Sequence, residues 1–211
     1  QNYSAQRTDP YIPLSYASDL AIWLDANDTS SVIESGGVVS EWRDLSGNGL
    51  HVSQSDTAKS PLTGSASQNG LNVLTFDGDD YLVRTSTNFQ DEDQVWFIVT
   101  EIDAVDNRAD GIITYGSWGA GRWQVRANNN TQFRSKVYVD GNGLGTTNMS
   151  NSNLSGYQMY TIGFNRSGSK HSNWLNGVIN DSNMTHNTPR LSEQELRLFT
   201  GSNNSYGPAG K

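Results

Sequence analysis

Apolar residues in this chain come in short runs cut by Gly, Asn, Asp and Ser, and the helical rhythm of one apolar residue every three or four positions is nearly absent. Leu20-Ala21-Ile22-Trp23-Leu24, closed by Asp25-Ala26-Asn27-Asp28, predicts a buried strand running into a turn. Val38 to Trp42 is bracketed by Gly36-Gly37 and by Ser46-Gly47-Asn48-Gly49. Residues 53 to 70 are polar. Leu71 to Phe76 alternates and meets Asp77-Gly78, a hairpin signal for which Tyr81 to Arg84 is the returning strand. Val95 to Ile102 is the longest apolar run and is apolar on both faces, as a central strand should be. Further strands are predicted over Ile112 to Tyr115, Arg122 to Arg126, Phe133 to Val139 and Tyr157 to Phe164. Asn176-Gly177, between Trp174-Leu175 and Val178-Ile179, has the form of a type I′ hairpin. Leu191 to Leu198 suits a helix through Ser192-Glu193-Gln194-Glu195, and Leu196 to Phe199 suits a strand equally well. Residues 1 to 18 hold Asp9-Pro10 and Ile12-Pro13 and predict an extended N-terminal arm, with one domain over 19 to 211. Ten to twelve short strands with almost no helix predict an all-β, two-sheet antiparallel sandwich.

A chain of 211 residues can bury a sufficient core without covalent staples, so the absence of cysteine is tolerable. It removes the disulfide-scaffold, zinc-ribbon and cysteine-nucleophile readings. With 14 Lys and Arg against 22 Asp and Glu, the net charge is −8, which repels phosphate backbones and anionic membranes and disfavours both as partners. No apolar stretch is long enough for a membrane-spanning helix. The start, Gln1-Asn2-Tyr3-Ser4, looks like a processed end and points to export. The sequons Asn27-Asp28-Thr29, Asn129-Asn130-Thr131, Asn148-Met149-Ser150 and Asn165-Arg166-Ser167 would accept glycans in a secreted eukaryotic chain, or arise by chance in an Asn-rich bacterial or viral surface protein.

Three segments carry a resemblance: Leu20 to Asp28, Val39 to His51 and Asn69 to Leu82. In order and spacing they resemble the opening of a bacterial or viral laminin-G-like domain of the concanavalin A-like lectin/glucanase superfamily, a jelly roll. Trp174-Leu175-Asn176-Gly177-Val178 resembles that family's penultimate hairpin, and Leu196 to Gly201 the strand after it. The resemblance implies a further closing strand, for which the sequence ending Tyr206-Gly207-Pro208-Ala209-Gly210-Lys211 leaves no room. A longer protein, or a neighbouring chain completing the sheet, would account for that.

Asp44-Leu45-Ser46-Gly47-Asn48-Gly49 fits the first half of a calcium loop, but Ser55 stands where an EF-hand places its bidentate Glu. Hydrogen bonding within a tight turn is the alternative role for Asp44 and Asn48. Asp77, Asp79 and Asp80 crowd three carboxylates into four residues, which costs repulsion unless they are solvated or share a cation. The family resemblance implies calcium at such turns. Glu101-Ile102-Asp103-Ala104-Val105-Asp106 resembles the catalytic strand of family-16 glycoside hydrolases, with Glu101 and Asp103 on one strand face. The final acid is Asp106 rather than a Glu, however, and the flanking Trp and Gly residues are missing, so the expectation is a protein that is not an enzyme.

The three His residues are scattered and suggest no zinc site. Trp23, Trp42, Trp96 and Trp174 fall inside predicted strands and read as core. Trp118 sits in the glycine-rich stretch Tyr115-Gly116-Ser117-Trp118-Gly119-Ala120-Gly121-Arg122 and is placed to stack on a sugar, or to cover an edge of the sandwich. Arg122, Gln124 and Arg126 alternate on one strand face, as do Arg134, Lys136 and Tyr138, giving either a polar concave sheet or a solvated one. The leading expectation is a non-catalytic extracellular module at a cell or virion surface. It would bind a glycan or cell-surface polysaccharide through Trp118, Arg122, Arg126 and Tyr115, with calcium at Asp77, Asp79, Asp80, Asp44 and Asn48. The alternative is a structural virion protein (decoration, fibre or tail) or a surface-filament protein, engaging neighbouring copies or other chains through the arm and the C-terminal end. A family-16-like glycosidase built on Glu101 comes third.

Overall fold

The computed structural model describes residues 19–87, 89, 93–104, 110–116, 122–127, 132–139, 142–150, 156–165, 169–185, 194–199 and 209–211, with backbone alone at 103–104, 110, 122, 127, 132–139, 142–150, 181, 183–185 and 209. The arm expected over 1 to 18 lies outside them. The strands are β1 (Val32–Ser35), β2 (Val38–Trp42), β3 (Val52–Ser53), β4 (Leu62–Gln68), β5 (Leu71–Asp77), β6 (Leu82–Thr87), β7 (Gln94–Thr100), β8 (Ile102–Ala104) and β9 (Asp110–Tyr115). They continue with β10 (Arg122–Ala127), β11 (Gln132–Val139), β12 (Asn142–Ser150), β13 (Gln158–Asn165), β14 (Lys170–Leu175), β15 (Val178–Thr185), β16 (Gln194–Leu198) and β17 (Ala209–Gly210). All described ladders are antiparallel. They form a 13-stranded sheet, ordered β12-β11-β10-β9-β16-β6-β3-β2-β4-β5-β17-β8 with β1 on β2, and a four-stranded sheet, β15-β14-β13-β7. The protein is an all-β sandwich of two antiparallel sheets.

The sheets meet through aromatic rings. Trp123 on β10 packs on Trp96 of β7 (centroids 4.9 Å apart) and on Phe164 of β13 (5.3 Å). Phe89 meets Trp96 edge-on at 5.1 Å, and Tyr115 lies 5.4 Å from Phe89. Such tilted and edge-on contacts suit the ring quadrupoles and add to the burial of large apolar surfaces. Leu82, Val52, Val39 and Leu196 extend this core along the large sheet, and Tyr160 and Ile162 face it from the small one.

Several expectations are corrected. Residues 20–24 belong to no strand and are only partly buried, with Ala21 exposed. Their backbone is held by a loop: the Trp23 N–H donates to Asp44 Oδ1 (2.9 Å), and the Trp23 carbonyl accepts from the Leu45 N–H (2.8 Å). Asp77-Gly78 does not close a hairpin. β5 pairs with β4 and β17, whereas β6 pairs with β3 and β16. The turn carries the chain away from β5 because the Asp77 N–H is taken by the Asp80 carboxylate at 3.0 Å. β7 is an edge strand, not a central one, with Val95, Phe97 and Val99 turned outward and 61, 70 and 66% exposed. The polar stretch 53 to 70 contains β4, which an apolar-periodicity signal cannot reveal because the strand is mostly exposed. Between the helix and strand readings near the C-terminus, the strand prevails as β16. The Asn176-Gly177 hairpin forms as expected, both residues having positive φ (50° and 77°) as a type I′ turn demands.

The Tyr115 hydroxyl, fully buried, donates to the Thr87 carbonyl and accepts from the Phe89 N–H, both at 3.1 Å. Tyr115→Phe strands both backbone groups and is expected to lower stability by about 1–2 kcal/mol, read as a shift of the urea midpoint with an unchanged slope.

Candidate functional site

Because Trp123 and Val125 fill the core, strand alternation turns Gln124 and Arg126 to the opposite face of the large sheet. Register extends that face. Gln124 pairs with Thr114, Thr114 with Arg197 and Arg197 with Val83. On the other flank Gln124 pairs with Lys136 and Arg126 with Arg134. Arg197, Thr114 and Gln124 therefore stand abreast on three adjacent strands, β16, β9 and β10. They face away from the four-stranded sheet and yet are buried, Thr114 and Gln124 to 0 and 1% exposure. Arg126 is also buried.

Polar groups in such a place need partners. Arg197 is held by Glu195, two residues back on the same face, with Nε 2.9 Å from Oε2 and Nη2 on the same oxygen. Gln124 Oε1 is buried and meets no donor among the described residues. An amide oxygen left this way costs on the order of 1–3 kcal/mol. The face thus combines an amide acceptor, a hydroxyl and two guanidinium groups, all of them buried.

The residues expected to bind a ligand divide. Arg126 lies on this face. Arg122, opposite Tyr138, shares the strand face of Gln124 and Arg126 by alternation, and its side chain is outside the described residues. Trp118 is outside them entirely. Tyr115 is corrected to a core residue: it is the cross-strand partner of Trp123 and Leu196, one position from Thr114, so alternation commits it to the inner face. Thr114, Glu195 and Arg197 were not singled out from sequence. The alternation of Glu195 and Arg197 was the available signal, obscured by the competing helix reading.

The expected calcium residues organise turns. Asp44 Oδ1 accepts from the N–H groups of Trp23 and Ser46, and Oδ2 from the Ser46 hydroxyl and the Leu50 N–H, at 2.8–3.0 Å. Burial alone would raise its pKa, but these four bonds outweigh that and hold the carboxyl below its ordinary value. The Asp44 N–H donates to His51 Nδ1 at 3.0 Å, which fixes that ring nitrogen as an acceptor. The Asn48 amide donates to the carbonyls of Leu20 and Ala21 (2.9 and 3.0 Å). At the second turn, Asp77 Oδ1 accepts from the Asp79 N–H and Asp80 Oδ2 from the Asp77 N–H, each at 3.0 Å. Among the described residues no three His, Asp or Glu side chains converge as a metal site. Glu101, on which a glycosidase would be built, is paired with Lys211 (3.3 Å) on the β7–β8 line and not on β9, β10 or β16, which carry the polar face. The Asp103 side chain and Asp106 are outside the described residues.

No family model matches the chain, and neither does any curated protein. Among solved structures it is similar to CBM40 of a Ruminococcus gnavus IT-sialidase bound to alpha2,3 sialyllactose (TM-score 0.47, 9% identity, 63% of this chain and 88% of that one). It is also similar to a Bacillus licheniformis beta-glucanase (TM-score 0.44, 10% identity, 90% of this chain and 93% of that one). These likenesses concern the fold alone, and function has to be argued from the residues.

Burial, opposed by the Asp77 N–H and reinforced by the charges of Asp77 and Asp79, pushes the Asp80 carboxyl up to about 6. The folded protein then holds this proton more tightly than the unfolded chain does. The resulting stability is complete below the ordinary value of 3.8 and is lost as pH rises through about 6. Asp80→Asn keeps the acceptor for the Asp77 N–H, and is expected to raise stability at pH 7.5 by about 1 kcal/mol or less and to leave it unchanged at pH 4. Urea midpoints at the two pH values check this.

Proposed function

We propose that this protein is a non-catalytic, extracellular glycan-binding module that reads its ligand on the polar face built from Thr114, Gln124, Arg126 and Arg197. The observation that carries the reading is the buried Gln124 Oε1, which finds no donor among the described residues. Sugars offer hydroxyl donors at close spacing, and guanidinium groups such as that of Arg126 supply donors to sugar oxygens in return. Trp118 belongs to the connection between β9 and β10, the strands that carry Thr114 and Gln124, and is proposed to stack on the sugar ring. The position of Glu101, paired with Lys211 away from this face, favours binding over hydrolysis.

A broad glycan array, run with calcium and with EDTA, tests the reading. Selective binding is expected, with Gln124→Leu and Trp118→Ala each lowering affinity at least about tenfold while the urea midpoint moves little. Loss of binding in EDTA would implicate calcium and make the turns at Asp44 and Asn48 and at Asp77, Asp79 and Asp80 the places to map. A blank array in both conditions, or full affinity in Gln124→Leu, overturns the proposal. The exposed Val95, Phe97 and Val99 favour a second reading, a structural component of a virion or surface filament. Cutting of glucan that is lost in Glu101→Gln would instead establish a glycosidase.

A further inference from the structure

The polar face carries a charge opposite to that of the whole protein. Ladder register continues it from β10 onto β11 and β12, where Arg134 stands opposite Arg126 and Asn148, and Lys136 opposite Gln124 and Thr146. Arg122 stands opposite Tyr138. Phe133, Val137, Leu144 and Met149 take the alternate positions, in phase with the core residues Trp123 and Val125.

Four cations, Arg122, Arg126, Arg134 and Lys136, thus fall on the outward positions of two neighbouring strands. β10, β11 and β12 contain no Asp or Glu at any position. A chain with 22 acids and 14 bases would place more acid than base there if its charges were spread evenly, so the separation runs against composition. On the other flank Arg197 is engaged by Glu195, which leaves that pair neutral and the positive end of the face over β10 and β11. Farther along the same row of the large sheet, Arg197 pairs with Val83, Val83 with Ser53 and Ser53 with Glu41, which holds Arg43 at 2.8 Å. Glu41 is five strand spacings from Gln124, about 24 Å.

Two features set this end apart from a solvated patch of charge. Arg126 and Arg134 are direct cross-strand partners, and like charges so placed repel. Arg126 is 8% exposed, so salt screens little of that repulsion. Gln124 is buried beside it, and its Oε1 meets no donor among the described residues. An anionic group bound between the two Arg positions relieves the repulsion, and a hydroxyl donating to Oε1 satisfies the amide. Gln124 and Arg126 are two residues apart on one strand, about 7 Å, and Arg134 is one strand away, about 5 Å. One acidic sugar residue can meet all three.

We infer that the glycan read on this face is acidic, with a carboxylate or sulfate group at the Arg126 and Arg134 positions and an adjacent hydroxyl donating to Gln124. The inference rests on the glycan reading above and adds the chemical class of its ligand. A guanidinium offers two parallel N–H donors to either anion, which fixes the orientation of the sugar as well as meeting its charge. Glu195 directs the anion to the β10 and β11 side, because over β16 it would meet a carboxylate and an Arg already engaged. Nucleic acid suits the same cations poorly. Its closely spaced phosphates are repelled at long range by the net charge of −8, and that repulsion falls as the anions of a ligand become fewer and farther apart.

The test sorts the hits of the glycan array by charge and then titrates the strongest one into the full chain by calorimetry. Acidic hits are expected. Methyl esterification of a carboxylate hit, or desulfation of a sulfated one, keeps the sugar backbone and is expected to weaken binding at least about tenfold, and so tells the two anions apart. Affinity for the unmodified hit is expected to fall as salt is raised from about 0.05 to 0.5 M. Arg126→Gln and Arg134→Gln are each expected to lower that affinity about tenfold. Arg134→Gln also removes one member of a repelling pair, so its urea midpoint is expected to hold or rise, and it carries the test if Arg126→Gln fails to fold. Arg43→Gln, at the far end of the sheet row, is expected to bind as the parent does. Equal binding of the neutralised sugar overturns the inference, as does an equal loss in Arg43→Gln and Arg134→Gln, which would reduce the effect to general charge attraction. Selective binding of neutral glycans alone overturns it while leaving the glycan reading in place, whereas a blank array removes that reading and this inference together.

Discussion

Trp123, wedged between Trp96 of one strand and Phe164 of another, sets the rest of the sandwich. A ring of this size in the core fixes the phase of β10, and the phase of β10 fixes that of its neighbours through register. Tyr115 and Leu196 must follow it inward, and Gln124, Thr114 and Arg197 must follow one another outward. The polar face is thus a consequence of core packing. A slip of one residue in β10 would exchange Trp123 for Gln124 in the core and dismantle both faces together.

The turns around Asp44 and Asp80 satisfy their backbone groups in different ways. Around residues 20–24, a side chain does the work of a strand: the Asp44 carboxylate gathers the N–H groups of Trp23, Ser46 and Leu50, and the Asn48 amide completes the set by donating to the carbonyls of Leu20 and Ala21. A buried, ionised acceptor with four donors is stable because those bonds outweigh the loss of solvation. At Asp80 the balance runs the other way. Its carboxyl has one backbone donor and two acidic neighbours, and burial pushes its pKa up to about 6. The two turns therefore carry opposite electrostatics.

Along β7 the inner face is committed to Trp96 and Ile98, while Val95, Phe97 and Val99 are turned outward. Natural edge strands are commonly blunted by charge, proline or bulges, and β7 shows none of these between Val95 and Val99.

Strand periodicity, turn chemistry and composition in the sequence determined that the protein is an all-β sandwich, where many of its strands lie and that Asn176-Gly177 turns a hairpin. Those signals are local, arising from side-chain alternation and from residues that tolerate positive φ. The sequence also placed Arg122, Gln124 and Arg126 on a common face, because period-two spacing is sufficient for that. Tertiary structure alone decided which strands become neighbours. It made β7 an edge although its residues are apolar on both faces, separated β5 from β6 across an Asp-Gly turn, and brought Arg197 and Glu195 beside Thr114 and Gln124. It also sent Tyr115 to the core and Gln124 away from it, since a period-two pattern says which residues share a face but not which face is buried. That choice belongs to the packing of one sheet on the other.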